Sequence, residues 1–408
     1  MITITTLIEL FDECQIENVV SALRFKPKKL IFVGFKETMT QKRMDDLKRF
    51  FDFFHMDIVT EYEIVGRYDY QSIVNKLNFI IDRNEDCCFD LTGGKELVLT
   101  AMGEVSASRS IPMLQINVRT GDLLEVKNCD GLAQTPKTSI KISESIILNG
   151  GTVISDGAAG FKWQLTDDFK KDILAMWEIC KKNCRLWNKH SIIFESFENW
   201  GTMTNDLCVS VNLKHMRDNG EEVFLNRGII TDLINSNLIQ DYSFEDETLT
   251  FKYKNKQVHR CISKAGNILE LYVYMLANEI CEKETGFYDD IDIGVCVDWD
   301  SVIHGALDDE KDTKNEIDVM LTRGLVPIFI SCKNGEVHKS ALYELKTIAD
   351  HFGGEYAKMV LVSTYISTDK ESREYIIQRA EDMNINLIDG VDKLTKDEFL
   401  SILKQKVK

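Results

Sequence analysis

The chain has 408 residues, 44 % hydrophobic and 28 % charged, which excludes wholesale disorder and suggests roughly two or three domains. A net charge of −17 excludes a global basic footprint for nucleic acid, so any such binding must come from a local groove and bound cations. No apolar run reaches the roughly 18 residues that span a bilayer, and the N-terminus MITITTLIELFDECQ lacks a basic signal-peptide start, so a cytoplasmic setting with no membrane partner is expected.

In chain order, Ile2–Ile8 is predicted as a strand and Ile16–Phe25 as a helix. Leu30–Phe35 is a buried strand, Lys42–Phe54 a helix, Met56–Val65 extended and Tyr70–Asp82 helical. Cys87–Leu91 is another buried strand, followed by Thr92-Gly93-Gly94, a helix to about Ala107, and a strand at Ile111–Val118. Strands separated by helices of this length imply parallel pairing in a doubly wound α/β sheet, a Rossmann-like domain over residues 1–150. The breaker-rich stretches Asn149-Gly150-Gly151 and Ser155–Gly160 mark a linker. Residues 163–255 hold two or three helices and short strands near 222–225 and 248–253, a small α+β, winged-helix-like unit within 151–256.

Residues 257–408 form a third, α/β unit. Ser263–Ile280 is a long amphipathic helix, Ile291–Trp299 and Glu316–Thr322 are strands, and Leu325–Cys332 is a central strand. The helices Val337–Phe352, Lys370–Met383 and Thr395–Leu403 and the strands Ala357–Ser363 and Ile385–Leu387 complete it. The eleven cysteines show no paired or ligand spacing and are expected as reduced, buried thiols.

Three polar groups stand out against apolar surroundings: Glu270 in GNILELYVYML, Asp318 in NEIDVM and Lys333 at the end of IFISCK. Two carboxylates offer the hard oxygens that Mg²⁺ or Mn²⁺ needs, and a lysine beside them can orient water or neutralise a phosphate. Helix-Glu, strand-Asp, then an apolar strand ending in lysine resembles the PD-(D/E)XK nuclease core, over roughly residues 260–390. The resemblance implies Glu270 and Asp318 as metal ligands, the Cys332 carbonyl completing the coordination, and Lys333 as the catalytic lysine. Ser331 stands where that family has an acid; alternation places it on the face of Lys333, and Glu316 and Glu344 are candidate substitutes.

DLTGGKELVLTAMG at 90–103 is a strand, a glycine turn and a helix start, where backbone N–H groups and the helix dipole can meet an anion. In a chain ending in such a nuclease core, this turn resembles that of the CRISPR-associated Rossmann fold (CARF), and the whole arrangement resembles the CARF–nuclease effectors of type III CRISPR systems. The resemblance implies a homodimer that binds a cyclic oligoadenylate and then cuts single-stranded DNA or RNA. Cyclic tetra-adenylate is expected ahead of cyclic hexa-adenylate. Thr92, Gly93, Gly94 and Lys95 would touch phosphates and riboses. Glu13 and Gln15, in the loop Phe11–Gln15, would add base contacts with Phe35 and Lys36. Glu96 stands where the family often has lysine.

Arg185 and His190 match the R-x4-H ribonuclease motif of HEPN domains, but the β-rich segment after them argues for a solvated helix end. Val297–Asp300 and Asp308–Glu310 are acidic clusters near the nuclease constellation. The rival function is a cyclic-oligoadenylate-responsive regulator that binds DNA through the winged-helix-like unit and carries an inactive nuclease-like domain.

Overall fold

The computed structural model describes residues 4–154, 161–302, 304 and 315–408. Ser155–Gly160 and Asp308–Glu310 lie outside the described residues.

The first sheet holds β1 (Thr6–Leu10), β2 (Lys29–Gly34), β3 (Val59–Ile64), β4 (Cys87–Asp90), β5 (Met113–Asn117) and β6 (Asp122–Lys127), in the order β3-β2-β1-β4-β5-β6. β1 to β5 pair in parallel and β6 returns antiparallel at the edge. The helices α1 (Val20–Phe25), α2 (Gln41–Phe53), α3 (Tyr70–Ile81) and α4 (Glu96–Arg109) make the crossovers. Strands β1, β2 and β4 are buried along almost their full length, as parallel strands covered on both faces must be. The predicted helix Ile16–Phe25 shortens to α1. The residues before it form a loop stitched by Asn18, which takes the Asp12 N–H at 2.7 Å and donates to the Asp12 carbonyl and the Gln15 side chain. The predicted first strand, Ile2–Ile8, lies at Thr6–Leu10.

α5 (Ile142–Leu148) leads to β7 (Thr152–Val153). Then come α6 (Asp167–Cys180), α7 (Cys184–Trp200), β8 (Thr202–Met203), β9 (Cys208–Asn212), α8 (Leu213–Asp218), α9 (Arg227–Asn235), β10 (Ile239–Glu245) and β11 (Thr248–Tyr253). The second sheet is antiparallel, β10-β11-β9-β8. Helix, two short strands, two helices and a hairpin, α7 to β11, is a winged-helix-like element order. The predicted strand at 222–225 is instead the link between α8 and α9, whereas 248–253 is β11.

The rest comprises α10 (Lys256–Ile262), α11 (Asn267–Lys283), β12 (Asp290–Asp298), β13 (Asn315–Arg323), β14 (Val326–Lys333), α12 (Lys339–Gly353), β15 (Lys358–Ser363), α13 (Lys370–Asp382), β16 (Ile385–Asp389) and α14 (Lys396–Lys406). The third sheet runs β16-β15-β14-β13-β12-β7, so the short strand β7 belongs to it. The predicted helix Ser263–Ile280 begins later, as α11 at Asn267, because Gly266 turns the chain at φ +100° and breaks it from α10, a helix that lies before the predicted span. That break puts Glu270 in the first turn of α11.

Apolar side chains of α6 to α11 join one face of the third sheet in a continuous core, with Trp177 stacked on Tyr272 at 4.6 Å. The other face buries Phe329 and Leu361 against α12 and against Ile146 of α5. Among the described residues, no helix is long and apolar enough to cross a membrane, and all eleven cysteines are free thiols.

Candidate functional site

In the third sheet, β13 and β14 pair from Arg323↔Val326 to Val319↔Ile330. Beyond that point β13 stays with β12 as far as Asn315, while β14 stays with β15 as far as Lys333↔Ser363. The two central strands therefore part at Asp318 and Ser331. Side chains take over where the backbone ladder stops: Asp318 Oδ2 accepts the Cys332 N–H at 2.6 Å and the Ser331 hydroxyl at 3.2 Å. The Lys333 ammonium lies 3.9 Å from the same oxygen. The opening is a cleft of about 120 Å³, lined among others by Glu316, Asp318, Ser331, Lys333 and Glu344. Both acids considered as substitutes for Ser331 thus line it. Ser331 itself holds Asp318.

Glu270 does not line the cleft. It approaches from α11 on the sheet's opposite face, where burial, and then the Asp318 charge, push its carboxyl up to about 8. Lys264 and Lys333 pull it back down, and Glu316 pushes it further up. The Cys332 thiol is buried and held well above its ordinary range by that burial, with Asp318 and Glu270 adding to it. The Cys332 contact to the constellation is its N–H, donated to Asp318. Among the described residues, no three His, Cys, Asp or Glu side chains are arranged to hold a metal ion.

The first sheet reverses its direction of growth between β1 and β4, and ligands of doubly wound sheets lie beyond the carboxyl ends of the strands at that point. The loop after β1 and the turn Thr92-Gly93-Gly94 meet there. The turn is pinned from below: Asp90 Oδ1 accepts the Thr92 N–H at 2.8 Å and its hydroxyl at 2.5 Å, and Thr92 Oγ1 accepts the Ile116 N–H at 2.9 Å. Gly93 packs so closely on the loop that a Cβ there would lie 2.9 Å from Glu17 Oε2 and 3.1 Å from Asp12 Cβ. Lys95 caps α4 without a side-chain bond, which leaves the first helical N–H groups beside the turn. Glu13 and Lys36 present exposed side chains, whereas Gln15 is buried on Asn18 and Phe35 is a core residue.

Sequence reasoning passed over two acids here. Glu9 and Asp90 face each other across β1 and β4, both almost fully buried. An acid inside each of the apolar strands TLIEL and CCFD was the available signal. Burial, and then the charge of Asp90, push Glu9 well above its ordinary value of 4.5, which favours its neutral form. Its contribution to stability is therefore complete below that value and is lost as pH rises through the raised folded-state value. Glu9→Gln copies the neutral acid. It is expected to melt with the wild type near pH 4.5 and above it in alkaline buffer; a wild type that gains on the variant as pH rises would contradict this.

His190 is a core residue. Its Nδ1 meets the Leu186 carbonyl at 2.8 Å, its Nε2 accepts the Asn226 N–H at 2.7 Å, and burial lowers its pKa. Arg185 bonds the Tyr365 hydroxyl instead. The two form no shared site. In the Val297–Asp300 cluster, Asp298 is buried at the end of β12 and accepts the Asp300 N–H.

No protein-family model matches the sequence, and no curated protein matches it. Solved structures do match in fold. Over 98 % of this chain and 97 % of the other, the fold is similar to protein VC1899 from Vibrio cholerae, with a TM-score of 0.71 at 17 % identity. Over 99 % of both chains it is similar to Can2 from Sulfobacillus thermosulfidooxidans, solved with cyclic tetra-adenylate, with a TM-score of 0.69 at 14 % identity. The whole chain, from the doubly wound sheet to the third sheet, therefore shares its α/β architecture with these two proteins.

Proposed function

We propose that the chain is a CARF–nuclease of the PD-(D/E)XK kind, switched on by a cyclic oligoadenylate in type III CRISPR defence. The activator is cyclic tetra-adenylate, the working form a homodimer, and the substrate single-stranded DNA or RNA. The observation that carries this reading is the parting of β13 and β14, which sets Asp318 and Lys333 in one cleft with Glu270 behind them. Further support comes from the whole-length likeness to Can2, a protein solved with cyclic tetra-adenylate.

The donor set suits Mg²⁺ or Mn²⁺ held by two carboxylates, with waters and substrate phosphate filling the other positions. Glu270 and Asp318 would hold the ion, and their mutual repulsion is the strain a cation relieves. The bound ion would lower the pKa of a water and offset phosphate charge. Ser331 and the Cys332 N–H fix the Asp318 carboxylate. The Lys333 ammonium meets the charge that develops on the scissile phosphate. A chain of net charge −17 favours a flexible strand over a duplex.

The DNA-binding rival meets an electrostatic objection. The β10–β11 hairpin carries Asp241, Glu245, Asp246 and Glu247, and α9 has Arg227 as its single basic residue. Phosphate neutralisation supplies most non-specific DNA affinity, and this wing offers repulsion instead. Labelled single strands incubated with the protein in Mg²⁺, Mn²⁺ or a chelator test the enzymatic reading. Cutting in either metal that the chelator stops is expected; cutting that survives the chelator, or none in either metal with the activator present, would overturn it.

A further inference from the structure

The sensing turn and the nuclease cleft are joined through a side chain that neither site uses. Glu17, in the loop after β1, lies against Gly93 of the turn. Its other oxygen accepts a hydrogen bond from the hydroxyl of Tyr356. Tyr356 ends the short turn between α12 and β15, and the Arg119 guanidinium sits 5.3 Å from its ring centroid. At the end of α12, just before that turn, Gly353 packs so tightly that a Cβ would lie 2.7 Å from the Phe329 ring. Phe329 lines the cleft with Asp318 and Lys333. A contiguous path therefore runs from Gly93 through Glu17, Tyr356 and Gly353 to the cleft wall.

We propose that Glu17 is the coupling residue of the switch. A ligand phosphate arriving at the Gly93 turn repels the Glu17 carboxylate and breaks its bond to Tyr356, which frees the α12–β15 turn and the cleft wall packed on it. This rests on the reading of the turn as a cyclic-oligoadenylate site. Like charges held close together at a half-buried position repel more strongly than they do in bulk water. Glu17 is already under pressure as an anion: burial, with Asp12 and Glu355, pushes its carboxyl up to about 7 against the opposing pull of the Tyr356 bond. Anion binding at the turn and the Glu17–Tyr356 bond are then mutually exclusive. By linkage, weakening the bond must strengthen ligand binding by the same factor.

The test uses the full-length protein and cyclic tetra-adenylate, with Kd from calorimetry and cleavage measured with and without ligand. Tyr356→Phe deletes the donor, and Glu17→Gln deletes the charge. Tyr356→Phe is expected to tighten ligand binding by about 5-fold or more and to raise ligand-free cleavage. Glu17→Gln is expected to tighten binding in the same direction. If the wild type binds and responds but both variants match it in affinity and ligand-free cleavage, the coupling role is overturned alone. A wild type that does not bind cyclic tetra-adenylate overturns the ligand reading, and the coupling role with it.

Discussion

Replacing Lys333 with alanine is expected to slow strand cleavage by about 10²–10³-fold, the usual effect of deleting one preorganised charge donor at a phosphate. The ammonium sits 3.9 Å from Asp318 at the mouth opened by the diverging strands. It is the one cation among the described lining residues of that cleft. The loss should appear in kcat, because charge grows on the phosphate only as the bond breaks. Cyclic tetra-adenylate affinity should stay at the wild-type value, since the turn proposed to bind it belongs to another sheet. Lys333→Arg tests geometry: it keeps the charge but replaces a point donor by a planar fork, so rescue should be partial. Wild-type cleavage by Lys333→Ala would remove the lysine from the mechanism.

Gly94→Ala is expected to weaken cyclic tetra-adenylate binding at least tenfold, about 1.4 kcal/mol, and to abolish ligand-stimulated cleavage. Gly94 holds φ +145°, a conformation that L side chains rarely adopt, and an added Cβ would lie 2.7 Å from Leu99 Cδ2. Strain of this kind costs of order 1–3 kcal/mol, and the backbone relieves it by moving. The turn's backbone then leaves the geometry that the proposed phosphate contacts need. Calorimetry of Gly94→Ala against the wild type measures the effect, with melting temperature as the check on folding. An unchanged Kd would show that the turn is not the phosphate cradle.

How much of this the sequence carried depended on whether a feature was local. Strands β2 and β14 were legible because a strand buried on both faces reads as a nearly continuous apolar run, and β4 was legible despite the acid at its end. The strands β6, β9 and β10 went unseen: each is short or half-exposed, and polar residues such as Asp122, Ser210 and Asp241 break the pattern. The break at Gly266 was hidden because apolar residues recur on both sides of it, while the φ of +100° just before α11 leaves no periodic mark. Asp318 and Lys333 announced themselves as charges in apolar strands. The bond between Glu17 and Tyr356 spans 339 positions, and no local pattern names such a partner. Ser331 looked like a gap in the acidic set; only the parting of β13 and β14 turns its hydroxyl towards Asp318.

The most direct test of the whole account is the ratio of cleavage rates of a labelled single strand with and without saturating cyclic tetra-adenylate, in Mg²⁺ or Mn²⁺, on the wild-type chain. A coupling typical of two-site switches predicts a ratio of about 5 to 150. A ratio of one, or no cleavage in either condition, would contradict it.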